Sequence, residues 1–199
     1  MTEWAIRGGF LPGERRVTEK DARLNSILMK EYERQLGENN FIASENFASD
    51  AVRYFCGSEF TNKYAEGYPG RRYYNGCDHY DEMENYGIEL VTKLYSSNFA
   101  NIQPHSGANA NLAIFKAFLS PGHRILGMDL SAGGHLSHGS TANLSGKWFD
   151  NHFYGVDSEG WIDYDALAIQ ARELMPKMII AGASAYPRQI DFERFRKIA

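Results

Sequence analysis

Residues 176–187 read PKMIIAGASAYP. The apolar run Lys177 to Gly182 predicts a buried strand, and the small polar turn Ala183-Ser184-Ala185-Tyr186-Pro187 follows it. The same pattern recurs outward in both directions. Toward the N-terminus, Ala166 to Met175 predicts a helix capped by Asp163 or Asp165. Trp148 to Gly155 predicts a strand, His135 to Ser145 a helix, and Arg124 to Leu130 a strand with Pro-Gly punctuation before it. Ala108 to Leu119 predicts a helix and Phe99 to Gln103 a strand. Residues 78–97 predict a longer helix, with acids early and a lysine late, as the helix dipole prefers. Toward the C-terminus a helix starts at Phe192. Strand and helix in alternation imply an α/β domain, a mostly parallel sheet covered by helices. The chain stops at Arg196-Lys197-Ile198-Ala199, inside an amphipathic pattern. A parallel-sheet domain ending there leaves its last crossover without the strand it heads toward, so a truncated chain is expected.

The first 77 residues follow a different pattern. Residues 18–36 place Leu24, Ile27, Leu28, Tyr32 and Leu36 on one helical face, with Thr18 as a cap and Asp21 three residues later. The pattern breaks at Gly37-Glu38-Asn39-Asn40. A short element, Phe41 to Asn46, follows, and residues 49–57 predict another short helix. Then comes TNKYAEGYPGRRYYNG, residues 61–76, with four tyrosines, one glutamate and three basic residues. No aliphatic residue larger than alanine occurs there, so the segment supplies little core. It is either a solvated loop with incidental tyrosines or a surface that faces something.

At 43% hydrophobic and 23% charged, the composition is that of a folded soluble protein. A net charge of -4 gives no general attraction to nucleic acid or anionic membrane. The apolar runs stop well short of the roughly 20 residues of a membrane helix, and MTEWAIRGGFLPGERR lacks the apolar centre of a secretory signal. Cys56 and Cys77 form neither a metal pattern nor a disulfide framework, which points to free thiols in the cytoplasm.

Ligands of open parallel sheets bind on loops leaving the strands' carboxyl ends. Three such loops carry polar groups. Gln103-Pro104-His105-Ser106-Gly107-Ala108-Asn109 opens a helix with small residues, which suits an anion such as phosphate and equally suits an ordinary turn. In Ser131–Gly139, paired glycines admit a ligand close to the backbone, and His135 is placed to stack on an aromatic ring or bond a polar one. His135 and His138 invite a metal reading, but no carboxylate or cysteine completes a set, so no metal is expected. His138 reads as a structural histidine. The third loop offers Ser184 and Tyr186. No G-x-S-x-G, G-x-G-x-x-G or G-x-x-x-x-G-K-[ST] occurs.

FIASENF (residues 41–47), TNKYAEGYPGRRYYNGC, QPHSGANAN, GGHLSHGS and PKMIIAGASAYP together resemble, in order and spacing, the N-terminal half of serine hydroxymethyltransferase, over about Leu24 to Ala199. The resemblance implies a pyridoxal-phosphate enzyme that moves a one-carbon unit between serine and tetrahydrofolate, making glycine. It implies an N-terminal helix, arm and inter-subunit loop over residues 1–77. Residues 78–199 would begin a cofactor-binding large domain of the aspartate-aminotransferase type. It also implies a homodimer or higher homo-oligomer whose active sites are shared between subunits.

Carried over by motif, Ser44 would contact the amino-acid carboxylate. Tyr64 would reach the phosphate of the neighbouring subunit's cofactor. Glu66 would handle protons beside the serine hydroxyl and folate, and Tyr73 and Tyr74 would flank folate and amino acid. Ser106, Gly107 and Ala108 would hold phosphate. Leu130, Gly134, His135 and Leu136 would line the pocket, with His135 stacked on the pyridine ring and Ser184 bonding near it. Three features depart from the pattern. Ala108 replaces a residue that often carries a hydroxyl, and Ala132 stands where histidine is common. The family's T-H-K-T string, with its Schiff-base lysine, does not occur; Lys63 and Lys147 match other lysines. The cofactor-pairing aspartate and the carboxylate-gripping arginine also belong to the family's other half. The alternative is a non-catalytic fragment or pseudoenzyme that binds folate, phosphate or a full-length partner.

Overall fold

The computed structural model describes residues 21–199, and its chain forms two compact units that part between Ala65 and Glu66. The expected cap Thr18 lies outside the described residues. In the first unit, α1 (Ala22–Gly37) is capped by Asp21, whose side chain accepts from the N–H groups of Arg23 and Leu24 at 3.0 Å. Arg34 bridges Glu31 and Glu38 along its surface, and the Arg34 guanidinium holds the Glu31 carboxyl down at about 2. No residue of α1 is buried; Leu24, Ile27, Leu28 and Leu36 are exposed. The Phe41–Asn46 stretch forms a turn with no regular element. Ser49 caps α2 (Asp50–Cys56), and a 3-10 turn covers Glu59–Asn62.

The second unit begins with a hairpin, β1 (Gly67–Tyr68) antiparallel to β2 (Arg71–Arg72), and continues into α3 (Asp78–Tyr95) and α4 (Gly107–Phe118). It then runs β3 (Arg124–Met128), α5 (Leu144–Trp148), β4 (Asp150–Tyr154), α6 (Tyr164–Leu174), β5 (Met178–Ile179) and α7 (Phe192–Ile198). The sheet has the order β4-β3-β5, and both pairings are parallel. Arg124 to Met128 pair in register with Asp150 to Tyr154, and Ile125 and Leu126 pair with Met178 and Ile179.

The central strand explains the α/β layering. Alternate residues of β3 point to opposite faces. Leu126 and Met128 pack with Tyr154, Ile162, Leu167, Ala171 and Phe195, from β4, α6, α7 and the loop before α6. Ile125 packs on the other side with Phe115, Leu119 and Phe149. A strand buried on both faces has to be apolar throughout, and each fully buried aliphatic side chain contributes roughly 1.5–3 kcal/mol. Asp163 caps α6 by accepting from the N–H groups of Asp165 and Ala166.

Three expectations are corrected. Phe99–Gln103 is not a strand: it meets no neighbouring strand, and Phe99 is 90% exposed. His135–Ser145 is not one helix. A 3-10 turn at Leu136–His138 ends at Gly139, whose φ of 111° stops propagation, and α5 starts only at Leu144. The strand expected from Lys177 to Gly182 shortens to Met178–Ile179 and is half-buried, because β5 has a strand on one side only. Its ends are still tied to β3: Lys177 N–H donates to Arg124 O and Ile180 N–H to Leu126 O, both at 2.8 Å. No helix among the described residues is long and apolar enough to cross a membrane.

Candidate functional site

The hairpin is anchored by a set of polar contacts from its turn, its base and α3. Pro69-Gly70 makes its turn, and Glu66 O accepts from Tyr73 N–H at 3.1 Å, closing the base. Arg72 lies under it with its side chain only 6% exposed. Its guanidinium donates to Asp81 at 2.7 Å, to Glu84 at 2.6 Å and to Gly67 O at 3.0 Å. Asp81 and Glu84 are one turn apart on α3, so both carboxylates face the same way. Asp81 also accepts from Gly70 N–H at 2.7 Å. That bond first, and the Arg72 guanidinium second, hold the Asp81 carboxyl below the usual carboxylate range. Gln103 completes the clamp by donating to Gly67 O and to Glu84, each at 2.8 Å. Glu66, Tyr68, Tyr73 and Tyr74 are exposed on the clamped hairpin and the residues flanking it, Tyr73 to 81%.

Three residues beyond Gln103, Ser106 caps α4, its hydroxyl accepting from Asn109 N–H at 3.0 Å. The N–H groups of Gly107 and Ala108 have no acceptor among the described residues, and no atom stands within 4 Å of where a side chain on Gly107 would begin. This is an open first turn with donors facing outward, a set suited to an anion.

The loop after β3 is held from within. Asp129 accepts from the hydroxyl and the backbone N–H of Ser131, which hold its carboxyl below the usual range. Gly134 N–H donates to Asp129 O at 2.9 Å, and a side chain on Gly134 would collide with Met128 O, so packing alone requires glycine there. His135 Nδ1 lies 2.7 Å from Ser137 Oγ and 3.1 Å from Ser137 N, and Asn111 of α4 donates to Ser137 Oγ at 2.6 Å. His138 is buried, and its ring centroid lies 5.6 Å from that of His135. Burial first, and the neighbouring His135 second, push the His138 imidazole below its ordinary value. Each Nδ1 faces a backbone N–H of the turn. Among the described residues no group of three or more His, Cys, Asp or Glu gathers at metal-binding spacing. The third loop joins the second: Ser184 and Ala185 donate their N–H groups to Gly133 O at 2.8 and 2.9 Å.

The second unit thus links the first turn of α4, with Ser106, Gly107 and Ala108, through Asn111 to the loops after β3 and β5 that carry Gly134, His135 and Ser184. Leu130 and Leu136 are exposed on the same loop. Glu66, Tyr73 and Tyr74 ride on the hairpin, tied to this set through Gln103. Ser44, in an exposed turn, and Tyr64, 75% exposed, belong to the first unit. Sequence reasoning missed Arg72, Asp81, Glu84, Gln103, Asn111 and Ser137. The signal for the clamp was the pair of acids one turn apart on a predicted helix, next to a hairpin arginine with no aliphatic neighbours.

A family model described as serine hydroxymethyltransferase matches residues 17–199. A serine hydroxymethyltransferase of Nitratiruptor sp. is 53% identical over 183 residues, which are 92% of this chain and 44% of the relative. One from Wolbachia pipientis subsp. Culex pipiens is 54% identical over 187 residues, 94% of this chain and 44% of the relative. One from Variovorax paradoxus is 52% identical over 183 residues, again 92% of this chain and 44% of the relative. The chain therefore spans less than half the length of the curated relatives it matches.

Proposed function

Because the chain belongs to the serine hydroxymethyltransferase family, we propose that it supplies the N-terminal part of a cytoplasmic, pyridoxal-phosphate-dependent enzyme. That enzyme interconverts serine plus tetrahydrofolate with glycine plus methylenetetrahydrofolate, on a fold of the aspartate-aminotransferase type. The carrying observation is the open first turn of α4 beside the His135 loop at the strand ends of a parallel sheet. Its donor set fits the group's phosphate. When bound, pyridoxal phosphate supplies a conjugated electron sink for charge developing on the amino acid's α-carbon.

The chain's own residues bind and orient. Ser106 and the N–H groups of Gly107 and Ala108 hold the phosphate; Ala108 serves through its backbone alone, having no hydroxyl. His135 offers a flat face to the ring, and Ser184 a hydrogen bond beside it. Ser44 grips the amino-acid carboxylate. Tyr73, Tyr74, Leu130, Gly134 and Leu136 line the amino-acid and folate side. Glu66 holds and moves the proton at the serine hydroxyl. Tyr64 reaches the phosphate bound in a second subunit, so the working form is a homodimer or larger. The T-H-K-T string is absent from the 199 residues. The second reading is a non-catalytic fragment or pseudoenzyme that binds folate, phosphate or a full-length partner through the same loops.

Glu66→Gln in the protein extended to the length of its relatives tests this. Turnover with serine and tetrahydrofolate should fall about a hundredfold or more, with cofactor affinity retained, as for a group that handles protons in the transition state. Lost cofactor affinity with unchanged turnover per bound cofactor would make Glu66 structural.

A further inference from the structure

We infer that the backbone N–H of Ser137 fixes His135 as the Nε2–H tautomer, and that the Ser137 hydroxyl and Asn111 are positioning residues that brace the ring in that form. The assignment starts from a donor that cannot be reversed. Side-chain amides and imidazoles can be drawn in either sense, and a hydroxyl proton rotates, but a backbone N–H only donates. Ser137 N–H points at His135 Nδ1 at 3.1 Å, so Nδ1 carries a lone pair and the neutral ring keeps its proton on Nε2. Ser137 Oγ, 2.7 Å from the same Nδ1, must then give its proton to the ring. Having spent that proton, Oγ can only accept from Asn111 at 2.6 Å, which sets the orientation of the Asn111 amide, with its nitrogen toward the serine. One backbone group thereby orders three side chains.

The arrangement links two parts of the site. Asn111 is on α4, about one turn beyond Ser106, and Ser137 is buried in the loop after β3. The helix that opens the phosphate turn therefore also braces the ring, through the Ser137 hydroxyl. The titratable group beside His135 is His138, whose own Nδ1 accepts from His135 N–H at 3.5 Å, so both rings of this turn are read in the same sense. The Nε2–H edge of His135 is left as a donor. This consequence for the ligand rests on the reading of His135 as the residue lying against the cofactor; the tautomer itself does not.

Long-range ¹H–¹⁵N correlation spectra of the full chain, labelled in histidine nitrogen and without cofactor, test the assignment. The His135 signals are identified by their loss in His135→Phe. The expected result is a protonated Nε2 and an unprotonated Nδ1; a proton on Nδ1 overturns the proposal. Asn111→Asp keeps the shape and reverses the polarity, giving the Ser137 hydroxyl an acceptor in place of a donor. It should draw the serine proton from the ring and produce an Nδ1–H population absent from the parent. Ser137→Ala should keep the Nε2–H form, since the backbone N–H still points at Nδ1 and no acceptor there is gained. An Asn111→Asp spectrum identical to the parent's overturns the positioning role. If either variant does not fold, the parent spectrum alone still decides the tautomer. Failure to take up pyridoxal phosphate, measured separately, would sink the proposed function and leave this assignment standing.

Discussion

The hairpin at Gly67–Arg72 and the turn at Gly134–Gly139 both carry side chains proposed to meet ligand, and they are held by opposite means. The turn is finished from within: its histidine rings, serine and glycines bond to one another, to Asn111 and to the β5 side through Gly133 O. The hairpin is held from beneath, by one buried arginine on two helix carboxylates, while its tyrosines and Glu66 face outward. A self-bonded turn is a site surface that its own chain completes. A clamped platform with exposed aromatics is a surface that its own unit leaves uncovered.

The largest expected effect tests the clamp. Arg72→Ala leaves Asp81 and Glu84 facing each other without their cation in a largely enclosed place. Removing one partner of an enclosed ion pair destabilises strongly, and the loss is to be read from urea unfolding of the chain. A loss below about 1 kcal/mol would reduce the clamp to a surface ion pair.

A smaller effect should appear with pH. Asp81 has a depressed folded-state pKa, through Gly70 N–H and then Arg72. Its contribution is therefore complete above the unfolded value of about 3.9 and is lost as pH falls from there through the lower folded value. Unfolding stability measured from pH 6 downward should drop more steeply for the parent than for Asp81→Asn. Parallel curves would remove Asp81 from the clamp.

The smallest effect separates presentation from support. Tyr73 is 81% exposed, so Tyr73→Ala should change stability by no more than about 0.5 kcal/mol. In the extended protein it should still weaken folate-dependent turnover. A large loss of stability would show that Tyr73 packs within its own unit, and the contrast between platform and turn would fail.

What the sequence made readable was local or periodic. The α6 cap at Asp163, the acid-to-base gradient of α3 and the uninterrupted apolar run of β3 each follow from neighbours in the chain. Phe99–Gln103 looked like a strand because a strand's apolar pattern does not say whether a partner strand is there. The His135–Ser145 helix failed because two turn-forming positions, Gly139 and the Asn143 cap, outweigh its spacing. The site residues were recognisable from their strings, but their couplings were not. Arg72 meets Glu84, Gln103 meets Gly67, and Asn111 meets Ser137, across 12 to 36 positions of chain in the bonds that build the clamp and the ring support. Such pairs leave no periodic trace.

The proposal that Tyr64 and its neighbour Glu66 serve the site of a second subunit has a direct test in mixed assemblies of the extended protein. One parent carries Tyr64→Phe with Glu66→Gln, and the other lacks the cofactor-anchoring lysine; each is inactive alone. If the segment acts across a two-fold interface, a mixed dimer has one site with both defects and one with neither. Free exchange should then restore about a quarter of wild-type activity, since half the dimers are mixed and half their sites intact. If the segment acts within its own subunit, every mixed site keeps one defect. No activity above the parents after exchange would contradict the account.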